Sequence, residues 1–247
     1  DHTFSAKPKP RDRYDDYHHQ VSTYCAILAG PAKRIDPGAT PKTFSPVIPD
    51  DADHEVFNYV DTASSRAELG AFLGKLALNK VAIVGLGGTG GYVLDLISKT
   101  PVREIHLFDH DEFLTHNAFR TPGAASLDEL RAKPHKVDYL TGIYSKMHRG
   151  IVPHTMFINC DNVASLCSMD FVFICSDDGG AKRSIVDALD ETGTPFIDVG
   201  MGIYAGDGGL GGILRVTACT ARKRDHVATR IPLAPAIGVD EYSTNIQ

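Results

Sequence analysis

The chain has 247 residues, 43% of them hydrophobic, which suffices for one sizeable α/β domain with an extension or for two small domains. Its formal net charge of −6 argues against general nucleic-acid binding, although a basic run occurs at residues 222–224. No apolar run reaches the length of about 18 residues that a membrane span needs, and the first residues lack the apolar core of a signal peptide. We therefore expect a cytoplasmic protein without a nucleic-acid or membrane partner.

The number and spacing of the cysteines also limit the class of protein to which the chain can belong. The five cysteines form no C-x-x-C pair and are odd in number, which is typical of reduced thiols in a cytosol. A four-cysteine zinc site is not expected.

Residues 1–60 differ in composition from the rest of the chain. Proline recurs seven times within them, charges cluster, and apolar periodicity is poor outside residues 21–28. The sequence predicts an irregular extension or linker over residues 1–60 and a folded domain over residues 61–247. Because the chain begins with Asp1 rather than Met, we also expect it to be a piece of a longer protein.

A single helix is predicted from Thr62 into the first strand. Ser64 and Ser65 are candidate caps, and apolar residues recur at helical spacing up to Leu78. Arg66 lies in the first turn of this helix, where the helix dipole disfavours a cation. It is therefore either simply exposed or paired with an anion outside the helix.

Residues 80–91, KVAIVGLGGTGG, predict a strand, a glycine turn and a helix amino terminus. Residues 81–84 form an apolar run typical of a strand buried on both faces, and apolar residues at helical spacing continue to Lys99, before Pro101. Such a turn allows backbone N–H groups and the positive end of the helix dipole to approach a phosphate. The candidate nucleotide-binding glycines are Gly85, Gly87, Gly88 and Gly90.

Asp109 follows the next predicted strand, residues 104–108, at the edge of the sheet where ligands bind in open parallel sheets. An acidic residue about 20 positions after a G-x-G-x-x-G turn binds ribose in dinucleotide-binding domains. The pattern fits NAD and also other nucleotides. The alternative is a turn that binds no nucleotide and whose glycines serve only packing.

A polar loop follows Asp109 and carries Asp111, Asn117 and Arg120. Residues 134–147 then predict a helix with one apolar face and with Lys136 near its start. Lys136 is placed to reach back toward phosphates, although a solvated lysine is the alternative.

The second half of the chain repeats the alternation of strands and helices. Strands are predicted at residues 151–158, 171–175 and 195–199, with a short helix or turn at 163–167 and an amphipathic helix ending near Leu189. A glycine-rich ribbon, residues 200–212, leads into a last strand, and the final 30 residues are predicted to be loop. This order predicts a Rossmann-like α/β fold, with a mostly parallel sheet and helices on both faces.

Asp177 and Asp178 follow the predicted strand at residues 171–175. Carboxylates at the end of a central parallel strand are well placed for Mg²⁺, which prefers carboxylate oxygens together with substrate phosphates. We assign the metal role to Asp177 and a helix cap to Asp178.

Residues 66–216, roughly three fifths of the chain, resemble the superfamily of ATP-dependent adenylyltransferases that includes ThiF and MoeB, which activate sulfur carriers, and the ubiquitin-activating enzymes. The resemblance rests on four motifs in order: GLGGTG at 85–90, Asp109-x-Asp111 with Asn117-x-x-Arg120, Lys136, and Cys175-Ser176-Asp177. It implies an ATP-binding adenylation domain over residues 61–247. Its substrate would be the carboxyl-terminal carboxylate of a ubiquitin-like or sulfur-carrier protein, and the family often forms homodimers or pairs with a related domain.

The resemblance also implies roles for individual residues. The glycine turn would cradle phosphate, Asp109 and its neighbour Asp111 would lie at the nucleotide, and Asp177 would hold Mg²⁺. The triphosphate contacts would come from Asn117, Arg120 and Lys136. Arg66 is the nearest match to an arginine that the family often supplies across a dimer interface.

Two features bear on which branch of the superfamily fits. MoeB-like members often carry paired C-x-x-C zinc ligands, which this chain lacks, so zinc is not expected. Ubiquitin-activating members use a cysteine to form a thioester with the carrier, and Cys219 is our candidate, with a structural or incidental cysteine as the favoured alternative. We place it after the last strand, in a polar loop beside Arg222 and Lys223, whose charge lowers a thiol pKa.

Two other functions compete with adenylation. An NAD-dependent oxidoreductase would use the same glycine turn, but it gives no role to Asp177 or to the Asn117 and Arg120 pair. A non-catalytic scaffold that partners an adenylating subunit is the other alternative. The presence of Asp109, Arg120, Lys136 and Asp177 in one chain argues against it.

Overall fold

The computed structural model describes residues 13–44, 56–206 and 209–233. The chain divides into two compact units, Asp1–Val47 and Ile48–Gln247. The sequence-based predictions for residues 1–12, for residues 45–55 and for the residues after 233 lie outside the described ranges. Among the described residues, no helix has the length and apolar character needed to cross a bilayer.

The first unit contains helix α1, Tyr17–Ile35, where the sequence predicts irregular chain. The Asp16 side chain caps it by accepting a hydrogen bond from the His19 N–H, and Lys33 and Arg34 lie in its last turn, where the helix dipole favours cations. The prediction was wrong because Pro31, which is a helix breaker by propensity, is accommodated inside this helix.

The second unit is built on a six-stranded sheet in the order β3-β2-β1-β4-β5-β6. All neighbouring strands are parallel except β5 and β6, which are antiparallel. The strands are β1 Lys80–Val84, β2 Glu104–Phe108, β3 Ile151–His154, β4 Phe171–Ile174, β5 Phe196–Gly206 and β6 Gly209–Cys219. The predicted mostly parallel α/β sheet is confirmed.

Helices cover both faces of this sheet, as predicted. The helices of this unit are α2 Thr62–Arg66, α3 Gly70–Leu76, α4 Gly88–Ile97, α5 Thr115–Ala118, α6 Leu127–Ala132, α7 Lys136–Tyr144, α8 Gly179–Thr192 and α9 Val227–Arg230, with a 3-10 turn at Val163–Leu166. Alternate residues of β1 enter different apolar clusters: Ala82 and Val84 pack with α8, whereas Val81 and Ile83 pack with α4 and α7. A strand buried on both faces explains the unbroken apolar run that marks β1 in the sequence.

The segment before β1 forms two short helices, α2 and α3, rather than the single predicted helix. Glu68 lies between them with φ of 58°, a left-handed conformation that interrupts helical hydrogen bonding. Gly70 and Gly74 lower the helix propensity of the second part. As a consequence Arg66 is the last residue of α2 and not part of a first turn.

The last two strands form a long hairpin, where the sequence predicts a short strand at residues 195–199, a glycine-rich ribbon and a short last strand. They pair from Phe196 with Cys219 to Gly206 with Gly209. Beyond Asp198, β5 has no further pairing with β4, so residues 199–206 and 209–216 form a two-stranded extension that we call the arm. Among the described residues after β6, α9 replaces part of the predicted loop.

Candidate functional site

The glycine turn joins β1 to α4 at the carboxyl edge of the sheet. Gly85 has φ of 89°, and a Cβ atom there would lie 2.7 Å from the Ser176 backbone nitrogen. A Cβ atom on Gly90 would lie 1.8 Å from the Gly85 carbonyl oxygen. Both positions require glycine, because a side chain would force the backbone apart. The turn is therefore closed tightly against the end of β4 and places the α4 amino terminus at the sheet edge.

Asp109 lies directly beside this turn, at the end of β2. Its Oδ2 accepts the Leu86 N–H at 2.7 Å and its Oδ1 accepts the Asp111 N–H at 2.9 Å. The residue is 8% exposed. Each carboxylate oxygen keeps a further lone pair, so the group can still accept hydrogen bonds from a ligand hydroxyl.

Lys136 is the first residue of α7 and its side chain is buried. Its Nζ lies 2.6 Å from Asp111 Oδ2 and 3.6 Å from Asp109 Oδ1, and its backbone N–H donates to the Asp111 carbonyl oxygen. Burial acts to raise the pKa of Asp111, but the hydrogen bond and charge of Lys136 outweigh it, so the pKa lies below its ordinary value. Lys136 is thus a buried cation at the turn and not a solvated lysine.

The short helix α5 brings Asn117 and Arg120 to the same region. Asn117 is buried and its Oδ1 accepts the Leu114 N–H at 2.8 Å, while its carbonyl oxygen accepts the Arg120 N–H at 2.9 Å. Arg120 is exposed, and its carbonyl oxygen would lie 3.2 Å from a Cβ atom on Gly88. The backbone of Arg120 therefore lies against the turn, and its side chain is exposed to solvent.

His116 is a neighbour of this group that the sequence analysis does not single out. Burial lowers its pKa, and the positive charges of Arg120 and Lys136 lower it further. The charges of both cations therefore act on the same imidazole. The sequence predicts a polar loop over these residues, and nothing in that pattern marks His116.

The loop between β4 and α8 carries the two acidic residues assigned from the sequence. Asp178 is the N-cap of α8, its Oδ1 accepting the Ala181 N–H at 2.6 Å, as expected. Asp177 is exposed, and no hydrogen bond or ion pair engages its carboxylate in the described part of the chain. It is thus available to a cation in a way that its neighbour is not.

A second group of possible metal ligands comprises Asp109, His110 and Asp111, whose ligand atoms lie within 4.8 Å of one another. Two of the three are already engaged, because Asp109 accepts two backbone N–H groups and Asp111 pairs with Lys136. A cation at this place would have to displace the Lys136 ammonium. The chemistry of the set therefore favours Asp177 as the metal-binding carboxylate.

The sequence placed Cys219 in a polar loop, and this placement is wrong. Cys219 is the last residue of β6, it is 1% exposed, and it packs in the apolar cluster beneath α8. Burial raises the pKa of its thiol, and the positive charge of Arg224 offsets this only in part. A nucleophilic cysteine needs an accessible thiol with a lowered pKa, which Cys219 does not have.

Arg66 is exposed at the end of α2 and makes no hydrogen bond or ion pair with the residues that the structure describes. The fold brings it into no contact with the glycine turn. Its predicted role across a dimer interface stays a prediction.

Comparison with known proteins identifies the family. A model of the ThiF family matches residues 66–232, and the chain belongs to this family. A second model, described as a domain of unknown function (DUF6791), matches residues 1–62. The resemblance drawn from the four sequence motifs is confirmed.

Solved structures share the fold at low sequence identity. The tRNA N6-threonylcarbamoyladenosine dehydratase TcdA of E. coli, crystallised with AMP, matches at 18% identity and a TM-score of 0.50, covering 57% of this chain and 62% of its own. MccB of E. coli, crystallised with MccA-N7isoASN, matches at 18% identity and a TM-score of 0.51, covering 65% of this chain and 48% of its own. The chain therefore spans less than two thirds of either structure that it matches.

Proposed function

We propose that this protein is an ATP- and Mg²⁺-dependent adenylyltransferase that activates the carboxyl-terminal carboxylate of a ubiquitin-like or sulfur-carrier protein. The observation that carries the proposal is the buried Lys136 ammonium beside Asp109, against the glycine turn. A buried cation at a nucleotide turn can offset the charge that develops on a leaving pyrophosphate, and hydride transfer from NAD develops no such charge. Membership of the ThiF family supports the same activity.

In the proposed reaction the acceptor carboxylate oxygen attacks the α-phosphorus of ATP. The new bond joins carboxylate oxygen to phosphorus, the bond to the bridging oxygen breaks, and pyrophosphate leaves. The carboxylate is already ionised, so the protein has to align the reactants and neutralise charge rather than remove a proton.

The predicted residues around the glycine turn have tasks in this reaction that their positions support. The N–H groups at the start of α4 donate hydrogen bonds to phosphate oxygens, and the Asp109 carboxylate accepts hydrogen bonds from the ribose hydroxyls. Asn117 still has its amide nitrogen to donate, because its oxygen is used within α5. Arg120 and Lys136 donate to the departing pyrophosphate.

The metal is assigned to Asp177, whose carboxylate is exposed at the end of β4. Bound Mg²⁺ would offset phosphate charge. Asp177 itself contributes a fixed anionic ligand, held in place because Asp178 anchors the loop as the α8 cap. Cys219 is not part of the proposal, which ends at the acyl adenylate.

We further propose that residues 61–247 are the adenylation domain and residues 1–60 an extension, and that two copies or two related domains pair in a cytoplasmic complex. The family resemblance supports pairing. Light scattering of the purified protein measures it directly.

The test is thermal unfolding with Mg-ATP, with ATP and a chelator, and with NAD. A ligand at about 100 times its dissociation constant adds roughly 2.7 kcal/mol to the free energy of unfolding. We expect stabilisation by Mg-ATP alone and its loss in Asp177→Ala. As matched control, Asp187→Ala removes an exposed carboxylate within α8 and should retain the effect.

The proposal fails if NAD stabilises the protein and Mg-ATP does not, since that result belongs to the oxidoreductase. A protein that binds Mg-ATP but catalyses no carrier-dependent ATP–pyrophosphate exchange would be the scaffold instead. Unchanged stabilisation in Asp177→Ala removes that residue from the metal role.

A further inference from the structure

Three charged side chains are buried together at the carboxyl edge of the sheet, on the side away from Asp109. Asp198 of β5 is 0% exposed, and its Oδ1 lies 2.7 Å from Lys182 Nζ of α8, whose side chain is 3% exposed. The Oδ2 of Asp198 accepts a hydrogen bond at 3.0 Å from Arg215 Nη2 of β6. Two basic side chains thus share one carboxylate.

The position of this network relates it to the glycine turn. Asp198 pairs in register with Ile174, the last residue of β4, and Arg215 pairs with Gly200, two residues further along β5. Cys175, which follows Ile174, has its Cβ 3.4 Å from the position that a Cβ atom on Gly90 would take. Burial raises the pKa of the Cys175 thiol to about 12, and the charges of Asp198 and Lys182 act on it as well. The network therefore lies on β5 and β6, with β4 between it and β1, the strand that leads into the glycine turn.

The Arg215 guanidinium is held in a defined orientation, but not all of its N–H groups have a hydrogen-bond acceptor. A Cβ atom on Gly200 would lie 2.5 Å from Nη2 and 2.9 Å from Cζ, so the guanidinium lies flat on the backbone that glycine leaves open. Its Nε is buried without a hydrogen-bond partner among the described residues, while 30% of the side chain is exposed. Because Lys182 already balances Asp198, the charge of Arg215 is left over for an anion.

The geometry of the proposed reaction indicates which anion this is. In phosphoryl and nucleotidyl transfer, the attacking and leaving oxygens are in line on opposite sides of phosphorus. The proposed pyrophosphate contacts, Arg120 and Lys136, come from the β2 side of the turn, whereas Arg215 lies across β4 on the β6 side. The attacking carboxylate must approach from the side of Arg215.

We propose that Arg215 binds the carboxylate of the acceptor and brings it to the α-phosphate, with Asp198 and Lys182 as the residues that position its guanidinium. This assignment rests on the proposed adenylyltransferase function. A guanidinium donates charge-assisted hydrogen bonds to a carboxylate, and its charge offsets the repulsion between that carboxylate and the triphosphate.

The experiment measures peptide binding to protein saturated with Mg²⁺ and α,β-methylene-ATP, in which pyrophosphate cannot leave. The probes are tetraglycine and tetraglycine amide, which differ only in the terminal carboxylate, and calorimetry gives both dissociation constants. We expect wild type to bind the carboxylate at least about tenfold more tightly than the amide, the size of one charge-assisted hydrogen bond. Arg215→Ala should lose this preference and Arg215→Lys should keep part of it.

Arg215→Ala leaves Lys182 and Asp198 as a balanced pair, so the fold is expected to survive, and its melting temperature is checked. Arg222→Ala removes an exposed arginine of the same charge and should leave both constants unchanged. The assignment of Arg215 is overturned if Arg215→Ala prefers tetraglycine over tetraglycine amide as strongly as wild type does. It is also overturned if wild type shows no such preference. Weaker binding of the nucleotide analogue in Arg215→Ala overturns it too, since the residue would then contact polyphosphate. Absence of analogue binding in wild type refutes the proposed function instead.

Discussion

Asp109→Asn tests the arrangement at the centre of the site. The Asp109 carboxylate accepts one backbone N–H on each oxygen and faces Lys136 at 3.6 Å, with both side chains less than a tenth exposed. Asparagine keeps one acceptor, so one buried N–H loses its partner at a cost of about 1–3 kcal/mol. Lys136 also loses a buried counter-charge but keeps Asp111 at 2.6 Å, so we expect a total of about 3–5 kcal/mol.

Urea unfolding followed by circular dichroism measures this change in the free energy of unfolding. The matched control is Asp128→Asn, which removes the same charge from a side chain that is 92% exposed and pairs with Arg131 on the surface. That control should change stability by less than about 0.5 kcal/mol. A loss below about 1 kcal/mol in Asp109→Asn would refute the reasoning, because it would mean that the turn does not depend on the carboxylate.

Three further predictions concern single residues. Arg120→Ala should cost about 2–4 kcal/mol in transition-state stabilisation of ATP–pyrophosphate exchange, with Arg131→Ala as exposed control, and a wild-type rate would place Arg120 in solvent. Iodoacetamide should modify the exposed Cys160 in the native protein and Cys219 only after unfolding. Equal rates of modification of the two thiols in the native protein would contradict the burial of Cys219. Burial lowers the pKa of His148 below 6.5, so its contribution to stability is present above that pH and is lost as pH falls further. Urea unfolding at several pH values from 7 downward should show that His148→Gln loses less stability than wild type as pH falls. An equal loss of stability in both proteins would show that His148 is not the titrating group.

The parts of the fold that could be predicted from the sequence are those determined by local pattern. Residues 81–84 of β1 are all apolar because the two sides of the strand enter two different clusters. Local geometry also requires two of the glycines that follow: Gly85 has φ of 89°, and a Cβ atom on Gly90 would meet the Gly85 carbonyl oxygen. The Asp178 cap is equally local, since a side chain three residues away receives the Ala181 N–H. Such features need no knowledge of the rest of the chain.

Cys219 and the arm show why the remainder could not be predicted. Cys219 is followed by polar residues, and only the pairing of β6 with Phe196 of β5 carries it into the core. The arm is glycine-rich, a composition typical of loops, and it becomes strand through pairing between residues up to 17 positions apart, Val199 and Val216. Asp198 and Arg215 meet for the same reason. Long-range pairing, rather than local propensity, determined these outcomes.

The two carboxylates that hold Lys136 differ in a way that suits a polyphosphate site. Asp109 is buried and anchored by two backbone N–H groups, so its hold on the ammonium is fixed by the fold. Asp111 is half exposed, so water can solvate its carboxylate when Lys136 turns to another partner. In the proposed reaction a triphosphate therefore replaces Asp111 beside Lys136, while Asp109 continues to position the ammonium. A buried cation with one fixed and one exchangeable partner is neutralised without ligand and still available when ligand binds.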